Sequence, residues 1–202
     1  GNFIFRTREF EQMEIEYFIK PPKGFETNRE KYMAPGVTLE DWEDEDGRHI
    51  LDLFEAWQNA MKEWCDEIGL SKEKCHDHEH AVEQLSHYSK KTVDIEYDFP
   101  FGKKELYGLA YRTDFDLSQH EQYSGKEMKY QDQETKEKYI PHVLEPTFGV
   151  DRSILAVICD AYREEELEDG SERVVMKFKP VVAPVKVAVF PLMKKDGLPE
   201  IA

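Results

Sequence analysis

Basic residues are scarce in this sequence. It carries 27 lysines and arginines against 43 aspartates and glutamates, a formal net charge of −16. So acidic a chain repels nucleic acid non-specifically, and any contact with RNA must use a local basic patch or segments outside the chain. Cysteine is also rare. Cys65, Cys75 and Cys159 are an odd number at unrelated spacings, which argues against a disulfide framework and suits reduced thiols in a cytosol. No apolar run approaches the roughly 18 residues of a membrane-spanning helix. The N-terminus lacks the basic stretch and apolar core of a signal peptide, and no segment repeats. What remains is a core-forming inventory. Forty per cent of residues are hydrophobic, with Trp42, Trp57, Trp64, twelve Phe and ten Tyr, enough for one sizeable domain.

The chain opens on Gly1-Asn2-Phe3 without a start methionine and stops at Gly197–Ala202, where an element is about to begin. We read it as a piece of a longer protein.

Periodicity gives the organisation. Residues 3–18 alternate as a strand, with Phe3, Phe5, Met13, Ile15 and Tyr17 on one parity and Arg6, Arg8, Phe10, Gln12, Glu14 and Glu16 on the other. Pro21-Pro22-Lys23-Gly24 breaks it, and residues 22–48, polar and aperiodic, read as a long surface excursion. Residues 49–68 are the best helix, with Ile50, Leu53, Phe54, Trp57, Met61, Trp64 and Ile68 recurring every three or four positions and Gly69 as a stop. The expectations that follow are a second helix over 78–89, strands over 92–99 and 105–113, and a charged loop or hairpin over 119–138. Next come a strand over 139–147, a helix from Arg152 to about Tyr162, a charged turn at Asp169-Gly170 and a strand over 174–178. Val181–Leu192, apolar and set between prolines, reads as the buried first strand of an α/β unit. This order predicts an α+β fold with a mainly antiparallel sheet.

Two constellations bear chemistry. Arg6, Phe10 and Glu14 share one strand face and offer a planar fork for phosphate, a stacking ring for a base and an acceptor for an ammonium group. A solvated outer face would show the same spacing. In Glu145-Pro146-Thr147-Phe148-Gly149-Val150-Asp151-Arg152, Glu145 and Thr147 face one side, Gly149 permits close approach, and Arg152 sits in the first turn of a helix. A cation opposes the helix dipole there and is tolerable beside an anion.

These stretches carry a resemblance. FRTREFEQMEIEYF (Phe5–Phe18) resembles the second strand of motif 2 in class II aminoacyl-tRNA synthetases, and EPTFGVDRSILAVICDAY (Glu145–Tyr162) resembles their motif 3. ELYGLAYRTDFDLSQH (Glu105–His120) and APVKVAVFPLMKKDG (Ala183–Gly197) narrow the resemblance to the dimeric glycyl-tRNA synthetases, in the family's order along nearly the whole chain.

The resemblance implies an antiparallel sheet that binds bent ATP, with Mg²⁺, and activates glycine for transfer to tRNA(Gly), in a cytoplasmic homodimer. It implies that Arg6 and Arg112 contact the nucleotide's phosphates, Phe10 stacks under adenine, and Arg152 covers adenine's other face or the γ-phosphate, these three arginines carrying the catalysis. Phe5, Arg6, Arg8, Glu9 and Phe10 would line the nucleotide site with Glu105, Leu106, Gly149, Val150, Asp151 and Arg152. Glu14 and Glu145 would take the glycine ammonium beside Thr147, with Phe10 and Gln12 completing the substrate contacts. Residues 1–179 would be part of the catalytic domain, and residues 180–202 the linker and start of an anticodon-binding domain. The rest of motif 2 and the dimer-building motif 1 would lie upstream of Gly1. Thr147 departs from the family's usual serine; its methyl should narrow the pocket or shift the hydroxyl. Glu105 and Arg112 have opposite parity, so both can face the nucleotide only if a bulge near Gly108 re-aims one.

Other readings compete. A non-catalytic synthetase-like paralogue should have lost Arg6, Arg152 or Glu145, and all are present. A ligase loading a carrier protein should lack the segment around Lys186–Pro191, which is also present. Cys75-His76-Asp77-His78-Glu79-His80 could chelate zinc, but without a second cysteine pair it reads as a polar helix entry. The acidic run Glu40–Asp46 reads as solvated surface, Trp57 and Trp64 as core, and the lysines and tyrosines of Tyr123–Tyr139 as a weak RNA candidate.

Overall fold

A computed structural model describes residues 3–5, 7, 10–34, 36–40, 42–44 and 46–202. The chain forms β1 (Gln12–Glu14), β2 (Tyr17–Ile19), α1 (Phe25–Tyr32), α2 (Ile50–Ile68), β3 (Cys75–Glu79), β4 (Lys91–Phe99) and β5 (Gly102–Thr113). It continues with α3 (Phe115–Ser124), β6 (Tyr130–Gln131), β7 (Lys138–Tyr139), β8 (His142–Gly149), α4 (Val150–Ala161), β9 (Tyr162–Glu166), β10 (Glu172–Met176) and α5 (Leu198–Ile201). One six-stranded sheet, ordered β1-β8-β5-β4-β3 with β2 also on β8, organises the molecule, and its pairs are all antiparallel. The expected α+β class is thus observed. The further expectation, a first strand of a truncated α/β unit at Val181–Leu192, has no counterpart among these elements: Val185, Val187, Phe190 and Leu192 are exposed.

The sheet has one greasy and one polar face because its strands alternate. In β4, Val93, Ile95, Tyr97 and Phe99 are buried, while the residues between them are half-buried. These side chains join Leu109 and Tyr111 of β5 and Leu144 and Phe148 of β8. Onto that face pack Ile50, Phe54, Met61, Cys65 and Ile68 of α2, and Ala156 of α4. α2 is amphipathic with its apolar stripe at helical spacing. It ends at Gly69, whose φ of 97° closes the helix through bonds to the Asp66 and Cys65 carbonyls. The polar face of the sheet forms the floor of the candidate site.

Several expectations need correction. The strand expected over 3–18 is a short 3-10 turn at Phe3–Phe5 followed by the two short strands β1 and β2. Residues 22–48 are not a surface excursion. Phe25, Leu39 and Trp42 are buried, with Trp42 edge-on to Tyr32 and Tyr111 at 5.0 and 5.9 Å. One large ring inserted every several residues leaves no periodicity for a sequence reading to detect.

The helix expected over 78–89 is instead β3 followed by a 3-10 turn at Val82–Gln84. The alternation of His76, His78 and His80 was a strand signal, not a helix entry. Among the described residues no group of three or more His, Cys, Asp or Glu side chains is arranged to hold a metal. Asp44, inside the acidic run, is buried and accepts the Arg48 guanidinium at 2.9 Å and two backbone N–H groups. Trp57 packs against the core, but Trp64 is 38% exposed. The region expected as a loop or hairpin contains the end of α3 and the β6–β7 hairpin. No helix is long and apolar enough to cross a membrane among the described residues.

Candidate active site

Register assembles the polar face. Glu14 of β1 sits opposite Thr147 of β8, Thr147 opposite Gly108 of β5, and Gly108 opposite Asp94 of β4. The flanking rows pair Gln12 with Gly149 and Glu145 with Ala110. Glu14, Glu145, Thr147 and Gly149 therefore look out from one surface. Glu105 joins them because the β4–β5 ladder slips: Ile95 pairs with Tyr107 but Glu96 pairs with Glu105, leaving Leu106 as an extra, inward residue. The irregularity that the opposite parity of Glu105 and Arg112 demands thus lies beside Gly108.

At one end of this surface is a small cleft. Ile4, Phe10, Glu11, Gln12, Glu105, Leu106, Tyr107, Thr147, Gly149, Asp151 and Arg152 line it. The Arg152 guanidinium is its centre. It donates to the backbone carbonyls of Glu105 and Phe5 at 3.0 and 3.2 Å, pairs with the Glu105 carboxylate at 3.0 Å, and lies 5.1 Å over the Phe5 ring. The anion that makes an arginine tolerable in the first turn of α4 is thus Glu105. Gly149 has a steric reason to be glycine: a Cβ there would stand 3.0 Å from Arg152 Cδ and 3.2 Å from its Cβ and Cγ. Asp151 and Val150 tie the start of α4 to the approach of β1. The Asp151 carboxylate accepts the Glu11 N–H at 3.0 Å, and the Val150 N–H donates to the Glu11 carbonyl at 2.9 Å. Phe10 is 55% exposed, so its ring is free to stack.

Beside the cleft lies a cluster of carboxylates around Arg112. Glu145 is bridged to Arg112 at 3.0 Å, with both side chains largely buried. Burial pushes the Glu145 carboxyl above its ordinary pKa. Arg112 opposes that shift, and nearby Glu16 and Glu14 add to it. Glu14 is held by a hydrogen bond from the Gln12 amide. Arg112 also donates to Asp116 at 2.8 Å and stacks over Tyr88 at 4.0 Å. Burial works against its charge, yet Asp116 and Glu145 hold its pKa above the usual guanidinium value.

The structure therefore brings together Phe5, Phe10, Gln12, Glu105, Leu106, Thr147, Gly149, Val150, Asp151 and Arg152 in and around the cleft, with Glu14, Glu145 and Arg112 adjacent on the same face. Arg6, Arg8 and Glu9 lie outside the described residues. Sequence reading missed Glu16, Asp116 and Tyr88. Glu16 shares parity with Glu14 and could have been found. Asp116 follows Arg112 by four residues across a strand end, where no periodic pattern operates, and nothing in the sequence marks Tyr88.

No family model matches the chain. Individual relatives do. It is 48% identical over 197 residues to the glycine–tRNA ligase of Geobacillus thermodenitrificans, covering 98% of this chain and 37% of that protein. It is 50% identical over 195 residues to the glycine–tRNA ligase of Caldanaerobacter subterraneus subsp. tengcongensis, covering 96% and 36%. Against the glycine–tRNA ligase of Staphylococcus epidermidis, identity is 46% over 196 residues, covering 96% and 37%. The chain thus spans little more than a third of the curated relatives it matches, and along nearly all of its own length it is homologous to the glycine–tRNA ligases.

Proposed function

We propose that this chain is part of the catalytic domain of a glycine–tRNA ligase and carries its nucleotide cleft and amino-acid pocket. The observation that carries the reading is the placement of opposite charges on one sheet face. A guanidinium and an exposed ring, Arg152 and Phe10, border the cleft, and Glu14 and Glu145 gather beside it. ATP and glycine need that arrangement, since one brings phosphates and a base and the other an ammonium group.

In this reading adenine stacks on Phe10, and Arg152 exchanges its contact with Glu105 for the nucleotide. Arg6 adds a phosphate contact. Glu105, whose carboxylate is half-exposed at the cleft, is an oxygen donor of the kind that suits Mg²⁺, which would screen phosphate charge. Glu145, Glu14 and the Thr147 hydroxyl can saturate the three ammonium protons. Arg112, expected from the resemblance as a phosphate contact, is engaged here by two carboxylates, and we assign it first to holding Glu145. The glycine carboxylate then attacks the α-phosphorus and pyrophosphate leaves; a hydroxyl of the terminal ribose of tRNA(Gly) attacks the carbonyl of the adenylate and displaces AMP. The chain's contribution is positioning and charge neutralisation, with no covalent enzyme intermediate.

Residues 1–179 belong to the catalytic domain in this reading. Residues 180–202 lead into an anticodon-binding domain, and the full-length protein is a cytoplasmic homodimer. Alone, the chain should have negligible activity, because the remainder of the ATP site is supplied elsewhere; ATP–pyrophosphate exchange near the full-length rate would refute this. Thermal stabilisation of the full-length protein by a non-hydrolysable glycyl-adenylate analogue, and not by its alanyl counterpart, tests site and specificity together. Equal responses, or none, would overturn the assignment.

A further inference from the structure

The end of β5 is irregular. Tyr111 pairs with Leu144 and Thr113 with Val143, so the ladder slips at Arg112. Thr113 then takes a φ of 57°. A β-branched residue in the left-handed region is strained and persists only where its surroundings impose it. Thr113 is fully buried and its hydroxyl has no partner, so its own side chain does not supply the compensation.

The neighbours do. Asp114, buried, binds the Arg29 guanidinium of α1 and accepts the Ser118 hydroxyl at 2.8 Å through the same oxygen. On the other flank, the Tyr111 hydroxyl shares a 2.5 Å hydrogen bond with His142, and Phe25 of α1 packs edge-on to His142 at 4.3 Å. Burial, helped by Arg29, lowers the His142 pKa to about 3, so the ring stays neutral in this clamp. α1 therefore grips both sides of Arg112 through Asp114 and His142. The Arg112 guanidinium, aimed by this backbone, reaches Glu145 at 3.0 Å and Asp116 at 2.8 Å.

We propose that Arg29 and Asp114 are positioning residues for the amino-acid pocket: their ion pair holds the strained turn at Thr113 and thereby directs Arg112 onto Glu145. The inference rests on reading the Glu145 pocket as the glycine site. It gives α1 a role in substrate affinity although no α1 side chain lines the cleft.

The test uses the full-length enzyme in ATP–pyrophosphate exchange. The Arg29 side chain is 39% exposed, so Arg29→Ala should fold. It should raise the glycine KM by about fivefold with the ATP KM changed less than about twofold, and Arg29→Lys should recover most of the loss. Thr113→Gly removes the strain and the orphaned hydroxyl together. With the turn no longer in need of being held, it should leave the glycine KM within about twofold of wild type and cut the effect of Arg29→Ala in that background to less than about twofold, which a general loss of stability on removing Arg29 would not do. In an Arg112→Lys background, Arg29→Ala should add less than about twofold, because both act through one guanidinium. If Arg112→Lys raises the glycine KM but Arg29→Ala does not, the positioning role is wrong. Equal effects of Arg29→Ala on the glycine and ATP constants would also overturn it. If Arg112→Lys itself leaves the glycine KM unchanged, the pocket assignment falls, and this inference with it.

Discussion

The two arginines of the site are held in opposite ways. Arg152 rests on two backbone carbonyls and a half-exposed glutamate at the mouth of the cleft. Arg112 is locked between two carboxylates over a tyrosine ring, and the difference lies in the partner: the two arginine side chains are about equally buried, but Glu145 is 16% exposed where Glu105 is 52%. Carbonyl contacts and an ion pair to a half-exposed glutamate are individually weak, so in the proposed reading Arg152 can leave them when a polyphosphate arrives. A largely buried pair is costly to break from one side, so Arg112 stays. The contrast suits the two substrates proposed above, which differ in character. A triphosphate brings enough charge to reorganise the group that meets it. A molecule as small as glycine has no side chain to grip, so a pocket selects it by steric exclusion and by counting its N–H donors, and that requires fixed walls.

The most severe way to break this contrast is to remove the fixed anion. Glu145→Gln in the full-length enzyme should lower kcat/KM for glycine on the order of 10²–10⁴-fold, from the roughly 3–5 kcal/mol lost when one partner of a buried ion pair is deleted. The ATP KM should move less than about threefold. Steady-state exchange assays varying each substrate check this, and parallel losses for both would erase the distinction between the two subsites.

On the other side, Arg152→Ala should raise the ATP KM by about 10–100-fold. Gly149→Ala should do a milder version, about tenfold, because the new Cβ would meet Arg152 Cδ at 3.0 Å and push the side chain from its seat. Glycine affinity should be unchanged in both variants. A Gly149→Ala enzyme with wild-type ATP affinity would mean that the seat seen here is irrelevant to nucleotide binding.

Legibility in the sequence followed the same division. The sheet was readable where strands obey period two over many residues, as in β4 and β5, and the amphipathic stripes of α2 and α4 marked the covering helices. The parity conflict between Glu105 and Arg112 even announced a slip in β5, and one exists at Leu106. What escaped was whatever depends on contacts far apart in sequence. Trp42 is buried by packing against Tyr32 and Tyr111, in a segment with no pattern of its own. Cys75–Glu79 alternates over too short a run to outweigh its polar, helix-like surroundings. Asp116 and Tyr88 reach Arg112 only because β5 stops where it does.

A gentler perturbation reaches Arg152 from the far end of α4. Asp160, buried near the last turn of that helix, accepts the Ser71 N–H at 2.6 Å, the Ser71 hydroxyl at 2.7 Å and the Lys74 ammonium at 3.0 Å. Burial alone would raise its pKa, but these donors more than offset it and leave it below the ordinary value. A carboxyl whose folded pKa is depressed stabilises the fold above its unfolded pKa, about 3.9, and loses that contribution as pH falls towards the folded value. Asp160→Asn should therefore cost about 2 kcal/mol at pH 7. The gap between variant and wild type should shrink as pH drops below about 4, as denaturant unfolding would show. A gap independent of pH would mean that the carboxylate's charge plays no part in holding α4. The ATP KM should rise modestly while the glycine KM holds, since α4 carries Arg152 and not Arg112.

The smallest expected effect is also the finest test of a rigid amino-acid pocket. Thr147 lies between Glu14 and Gly108 on the polar face and lines the cleft. Its hydroxyl can serve the ammonium as a serine would, so its extra methyl can act only by occupying space. If the pocket walls are fixed, Thr147→Ser opens room that the methyl of alanine can enter. Selectivity for glycine over alanine should then fall by at most about tenfold, the low end of what one methyl group contributes in a pocket. Glycine activation itself should stay within about twofold, because no ammonium contact is lost. Competitive exchange with the two amino acids measures the ratio directly. If selectivity is unchanged, the methyl faces away from the substrate, and exclusion must fall to the row formed by Gly108 and Ala110; if glycine turnover drops instead, the hydroxyl was placed by the methyl, and the pocket is less rigid than the Arg112–Glu145 pair makes it.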